Sequence, residues 1–106
     1  MDEAAAEALL AKLIERGLIE ERADEVGPTR RWNARVQAAA ERLNQEVART
    51  GAQPAGNPLV LAVAQALRDE QYAEGDFDDA VRVLVTLELT RMSAQKRARY
   101  GFDVSL

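Results

Sequence analysis

Glu88 is the side chain whose position in this sequence most favours chemistry. On a helical wheel it falls in the middle of an apolar arc, near Leu84 and Met92. A carboxylate there should be paired or shifted toward its neutral form, because burying a bare charge is costly. One interpretation is a perturbed acid in a ligand-binding or catalytic pocket. The other is a structural ion pair with Arg91 or Arg35, or simply a solvated edge of the arc.

The sequence lacks the residue types on which most catalytic and metal sites depend. It contains no cysteine and no histidine. This excludes disulfides and thiolate ligands, and it removes the commonest general base and the commonest transition-metal ligand. Ser93 and Lys96 have a spacing in which a lysine can activate a serine, but Ser93 is better explained as a helix N-cap. We therefore predict a non-enzymatic protein without catalytic, cofactor-binding or metal-binding residues.

Basic side chains gather in two segments, although the net charge of −4 does not favour general affinity for nucleic acid. The first basic block (30–49) carries five basic and two acidic residues, and the second basic block (91–99) carries four basic residues. Candidate phosphate contacts are Arg30, Arg31, Arg35, Lys96, Arg97 and Arg99. Trp32 could stack on a base, but its spacing with Val36 predicts a core position instead. The arginines around it could equally form a solvated helical turn.

Two segments resemble parts of winged-helix regulators. Leu10–Glu21 resembles the join between their recognition helix and first wing strand, and Gly27–Trp32 resembles the start of the helix after their wing. This resemblance implies a nucleic-acid-binding regulator that uses the two basic blocks. The segment that corresponds to the recognition helix carries only Lys12 and Arg16 among several acidic residues, which is a poor match to a DNA groove.

Hydrophobic spacing predicts a single all-α domain over 1–106, a small bundle of four main helices and a short C-terminal fifth. Thr29, Asn57 and Asp76 are suited to begin helices, and Gly17 is suited to end one. The segment 18–21 could form a short strand, although it lacks alternation over enough residues. The predicted helices span about 4–16, 30–49, 58–73, 77–92 and 94–100, and an apolar tail follows at 102–106.

The segment Asn57–Leu67 is apolar on every side of a helical wheel. It is too short to span a bilayer, so we expect helix 3 to be central, with helices 1, 2 and 4 around it. Helices 3 and 4 carry more apolar surface than a small monomer easily covers, which predicts a homodimer through one of them. The tail residues Phe102, Val104 and Leu106 could fold back on the core, fray, or bind a partner.

These patterns favour a non-enzymatic protein–protein interaction module, such as an adaptor, small subunit or regulator. A nucleic-acid-binding regulator is the first alternative, and a ligand-binding or catalytic bundle centred on Glu88 is the second. Asp2 and Glu3 follow Met1 where a signal peptide would carry basic residues. We therefore expect a cytoplasmic protein with no cofactor, metal or membrane partner.

Overall fold

The computed structural model describes residues 2–23, 25–51, 56–72 and 75–91, with side chains as far as 90. The chain is mostly helical, as predicted. The predicted fifth helix over 94–100 and the tail over 102–106 lie outside the described residues. The elements in chain order are α1 (Glu3–Glu15), β1 (Ile19–Arg22), β2 (Glu25–Pro28), α2 (Arg30–Thr50), α3 (Pro58–Asp69) and α4 (Phe77–Arg91).

Side chains begin three of the helices, at positions that the sequence marks. The Asp2 carboxylate accepts from Ala5 N at 2.7 Å and begins α1. The Thr29 hydroxyl accepts from Trp32 N at 3.1 Å and begins α2. Asn57 begins α3, with Pro58 in the first turn, where a missing N–H costs nothing.

A two-stranded antiparallel hairpin adds a small sheet to the mostly helical fold. Ile19 pairs with Pro28 and Arg22 pairs with Glu25, in the connection where the sequence leaves a short strand over 18–21 open. Four residues per strand give too little alternation for a strand to be identified from sequence. The hairpin gains its stability from burial of Ile19 and Pro28 and from the packing of β1 on α1 and of β2 on α4.

Helix α3 ends earlier than its sequence pattern predicts. The predicted helix reaches residue 73, but α3 ends at Asp69, and Gln71 has a left-handed φ of 61°. Gln71 N bonds to Arg68 O at 2.9 Å, and Tyr72 N bonds to Leu67 O at 3.2 Å. This reversal turns the Tyr72 ring inward, where it is 2% exposed. Burial of that ring offsets the cost of the left-handed residue.

The core forms where α3 packs between α2 and α4. The principal neighbour of α1 is β1, so the predicted ring of helices 1, 2 and 4 around helix 3 is incomplete. Val60 on α3 is 40% exposed, so α3 is not covered on all sides. No helix in the described ranges is long and apolar enough to cross a membrane. The buried apolar residues are Leu9, Leu13, Leu18, Ile19, Trp32, Val36, Ala39, Ala40, Leu59, Ala62, Val63, Ala66, Leu67, Tyr72, Ala80, Val81 and Leu84.

Candidate interaction surfaces

Glu88 lies in the core, which excludes the solvated edge of the apolar arc as its position. It is 1% exposed and is the one charged side chain among the buried residues that the structure describes. Arg35, a predicted partner, lies elsewhere, with its Nε 3.4 Å from Glu70 Oε1. Arg91 ends α4, and its side chain is outside the described part. The structure therefore does not bring Arg35 to Glu88.

Glu70, which the sequence analysis did not single out, receives two arginines of the first basic block. Arg31 Nη1 lies 2.5 Å from Glu70 Oε1, and Arg35 Nε shares the same oxygen. Arg31 Nη2 also donates to Arg16 O at 2.8 Å. The Glu70 side chain is 16% exposed, so its charge has left most of its water and depends on these partners. These arginines therefore join α2 to the end of α3.

Two further cations of the first basic block also have carboxylate partners. Arg42 Nη2 lies 2.7 Å from Asp69 Oδ2, at the end of α3. This hydrogen bond from Arg42 holds the pKa of Asp69 below its usual value. Arg49 Nη2 lies 2.6 Å from Glu46 Oε1 within α2. Four of the five basic residues in this block are thus neutralised within the chain, and Arg30 is the exception within the described ranges.

Trp32 is completely buried, which confirms the core interpretation of its spacing. It packs in the cluster that contains Val36 and Leu59 and presents no exposed face for stacking on a base. Its Nε1 is buried without an acceptor among the residues that the structure describes. Trp32 therefore contributes apolar burial to the core rather than a contact surface.

Lys12 of α1 and Arg16, the residue that follows this helix, are turned toward the corner between α3 and α4. Lys12 Nζ lies 3.0 Å from Asp76 Oδ2 and 5.9 Å from the Tyr72 ring centre. The Arg16 guanidinium lies 4.6 Å from the same ring centre. Tyr72 OH donates to Asp76 Oδ1 at 2.7 Å. The two cations of the segment that would enter a DNA groove in a winged-helix protein therefore make contacts within the fold.

A polar cavity of about 230 Å³ lies between the hairpin and the start of α2. Its polar groups already serve the fold: Arg22 Nε lies 3.0 Å from Glu20 Oε1, and Thr29 Oγ1 donates to Gly17 O at 2.8 Å. One unpaired cation, Arg30, remains beside these groups within the described ranges. The lining residues are Glu20, Arg22, Thr29, Arg30 and Asn33.

An open apolar groove of about 240 Å³ runs along the outer face of α4. Val83 and Leu87 form its floor and are partly buried against the core. Arg82 and Thr86 are exposed along its edge. We call this surface, lined by Arg82, Val83, Thr86 and Leu87, the α4 groove. Its lining is more apolar than that of the polar cavity, and it lies on one of the two helices predicted to have surplus apolar surface.

The second basic block cations Lys96, Arg97 and Arg99 lie outside the described residues, as do Phe102, Val104 and Leu106. No group of His, Cys, Asp or Glu side chains in the described part could hold a metal ion. Comparison with protein-family models, curated proteins and solved structures gives no match. The functional argument therefore starts from the surfaces of this chain alone.

Proposed function

We propose that this chain is a non-enzymatic protein–protein interaction module, an adaptor, small subunit or regulator, that self-associates through the α4 groove. The observation that carries the proposal is the groove itself, an apolar surface open to solvent on a core helix. Val83 and Leu87 remain only partly buried in the single chain. A partner helix in the groove would remove this apolar surface from water. The proposed module contains the four described helices and the predicted fifth helix at 94–100.

The charge arrangement favours this function over nucleic-acid binding. Binding to a phosphate backbone needs cations that are free to replace counterions. Arg31 and Arg35 are engaged by Glu70, and Lys12 is engaged by Asp76. Burial of Glu88 favours a structural role for this carboxylate, since neither the polar cavity nor the α4 groove is lined by it.

Light scattering after size exclusion, at micromolar and higher concentrations, tests the proposal. Thr86→Arg places a large cation at the exposed edge of the α4 groove without removing a core side chain. We expect a dimer or larger assembly for the original chain and a monomer for Thr86→Arg. Ala38→Arg, on the exposed face of α2, is the matched control and should assemble like the original chain. A monomeric original chain at every concentration contradicts the proposal.

A further inference from the structure

Helix α1 presents an apolar face that its own chain leaves exposed. Ile14, at 37%, is one of two large hydrophobic side chains that are exposed in the described structure. Ala11 lies one turn before it and is also exposed, and Glu7 and Glu15 flank the pair. Neither glutamate has an ion pair within the part of the chain that the structure describes. The face therefore combines an apolar centre with free negative charge. Its members are Ala4, Glu7, Ala8, Ala11, Ile14 and Glu15.

The α4 groove has the complementary chemistry. Arg82 is exposed at its edge, and it has no carboxylate partner among the described residues. Thr86 Oγ1 is satisfied by Arg82 O at 2.9 Å, so the rest of this edge needs no further polar partner. An apolar floor with Arg82 exposed at its edge suits an apolar helix with an acidic neighbour, and the acidic residues Asp78 and Asp79 lie one turn closer to the start of α4.

Building on the proposed function, we propose that the α4 groove of one copy binds α1 of a second copy in the antiparallel direction. In this arrangement Ile14 packs on Val83, Ala11 packs on Leu87, and Glu15 lies beside Arg82. At a rise of about 1.5 Å per residue, the spacing from Ala11 to Ile14 along α1 and the spacing from Val83 to Leu87 along α4 agree to within a fraction of a turn. Antiparallel packing also brings opposite helix dipole ends together.

Charge selects α1 over the other exposed apolar surface of the chain. The face of α3 that contains Val60 continues through Ala64 to Arg68, at helical spacing. Arg68, the charged residue of that face, lies 5.6 Å from the Phe77 ring centre, so the face offers no carboxylate to set beside Arg82. Pairing of α1 with another α1 would bring Glu7 and Glu15 together. Contact between α1 and the α4 groove is the combination that joins opposite charges.

Charge reversal tests the contact without disturbing the core. Arg82→Glu and Glu15→Arg should each weaken self-association by about tenfold or more, because each places like charges in contact. An equimolar mixture of the two variants should recover assembly as a mixed dimer. One of its two contacts joins the original Glu15 and the original Arg82. The other joins the two substituted side chains, which also have opposite charges. Sedimentation equilibrium measures the dissociation constants. Arg30→Glu and Glu41→Arg make the same charge changes at exposed positions on α2 and should change the constant by less than about twofold.

The outcomes separate this inference from the proposed function. If Thr86→Arg dissociates the assembly but the two charge variants do not, the α4 groove is an interface and α1 is not its occupant. If both charge variants weaken assembly but their mixture does not recover it, the direct contact between Glu15 and Arg82 is overturned. If the original chain is monomeric throughout, the proposed function and the inference both fail.

Discussion

Asp76 joins three parts of the chain through its carboxylate and its backbone oxygen. Its Oδ2 lies 3.0 Å from Lys12 Nζ on α1, and its Oδ1 accepts from Tyr72 OH at 2.7 Å. Its backbone oxygen accepts from Ala80 N at 2.9 Å in the first turn of α4. The hydrogen bond from Tyr72, followed by that from Lys12, holds the pKa of Asp76 below its usual value. The residue therefore stabilises the approach of α1 to the corner between α3 and α4.

Asp76→Asn should lower the free energy of unfolding by about 1–2 kcal/mol at neutral pH, because it removes the negative charge and leaves one acceptor oxygen for the two donors Lys12 Nζ and Tyr72 OH. Urea unfolding measures the change. The control is Asp78→Asn, which removes an exposed acidic charge from the first turn of α4 and should cost less than about 1 kcal/mol. Equal losses in the two variants would contradict the role of the Lys12 and Tyr72 contacts.

The same contacts predict how stability depends on pH. Because the pKa of Asp76 is lower in the folded chain than in the unfolded chain, its contribution is complete above the ordinary range for a carboxyl group. The contribution is lost as the pH falls through the lowered pKa. The stability difference between the original chain and Asp76→Asn should therefore shrink on acidification, as followed by urea unfolding from neutral pH downward. A difference that grows at acid pH would refute this.

At the scale of elements, the turn after α1 sets the direction in which the chain enters the hairpin. Gly17 has a left-handed φ of 73°. Its N–H bonds to Ile14 O at 2.9 Å, and Leu18 N bonds to Leu13 O at 3.0 Å, which closes the helix in a Schellman motif. Leu18 is thereby buried next to Leu13. The sequence predicts this turn, because Gly17 and Leu18 follow a complete apolar stripe.

Gly17→Ala should destabilise the fold by about 1–2 kcal/mol, because an L-residue is strained in the left-handed region. The added Cβ would lie 3.5 Å from Arg31 Nη2, an ordinary contact, so the cost belongs to the backbone and not to a clash. Gly75→Ala is the control, since Gly75 has open space and no left-handed φ. Thermal unfolding followed by circular dichroism should show a lower midpoint for Gly17→Ala only.

For the whole molecule, the distribution of ion pairs explains why a basic segment need not be a nucleic-acid surface. Arg31 and Arg35 lie four residues apart on one face of α2, and Asp69 and Glu70 are adjacent at the end of α3. Those two patterns were visible in the sequence. Nothing local to α2 indicated that they would meet, because the packing of α3 on α2 decides that contact.

Combined Arg31→Gln and Arg35→Gln should lower the free energy of unfolding by about 1 kcal/mol or more, because Glu70 would lose both cations while only 16% exposed. Arg30→Gln, at an exposed cation without an ion pair in the described ranges, should change stability by less than about 0.5 kcal/mol. The affinity for a fluorescent oligonucleotide at 50 mM salt should be the same for the original chain, the double variant and Arg30→Gln. Weaker binding in the double variant alone would support the nucleic-acid alternative.

The sequence alone determined the features that depend on neighbours within a few residues. These include the starts of α2 and α3 at Thr29 and Asn57, the turn at Gly17, and the burial of Trp32, because caps and helical periodicity are local. Tertiary structure decided the features that depend on distant partners. The hairpin forms on α1 and α4, α3 ends early as Tyr72 becomes buried, and Arg35 pairs with Glu70 instead of Glu88. Each of these arises from a contact across the fold that short-range spacing does not encode.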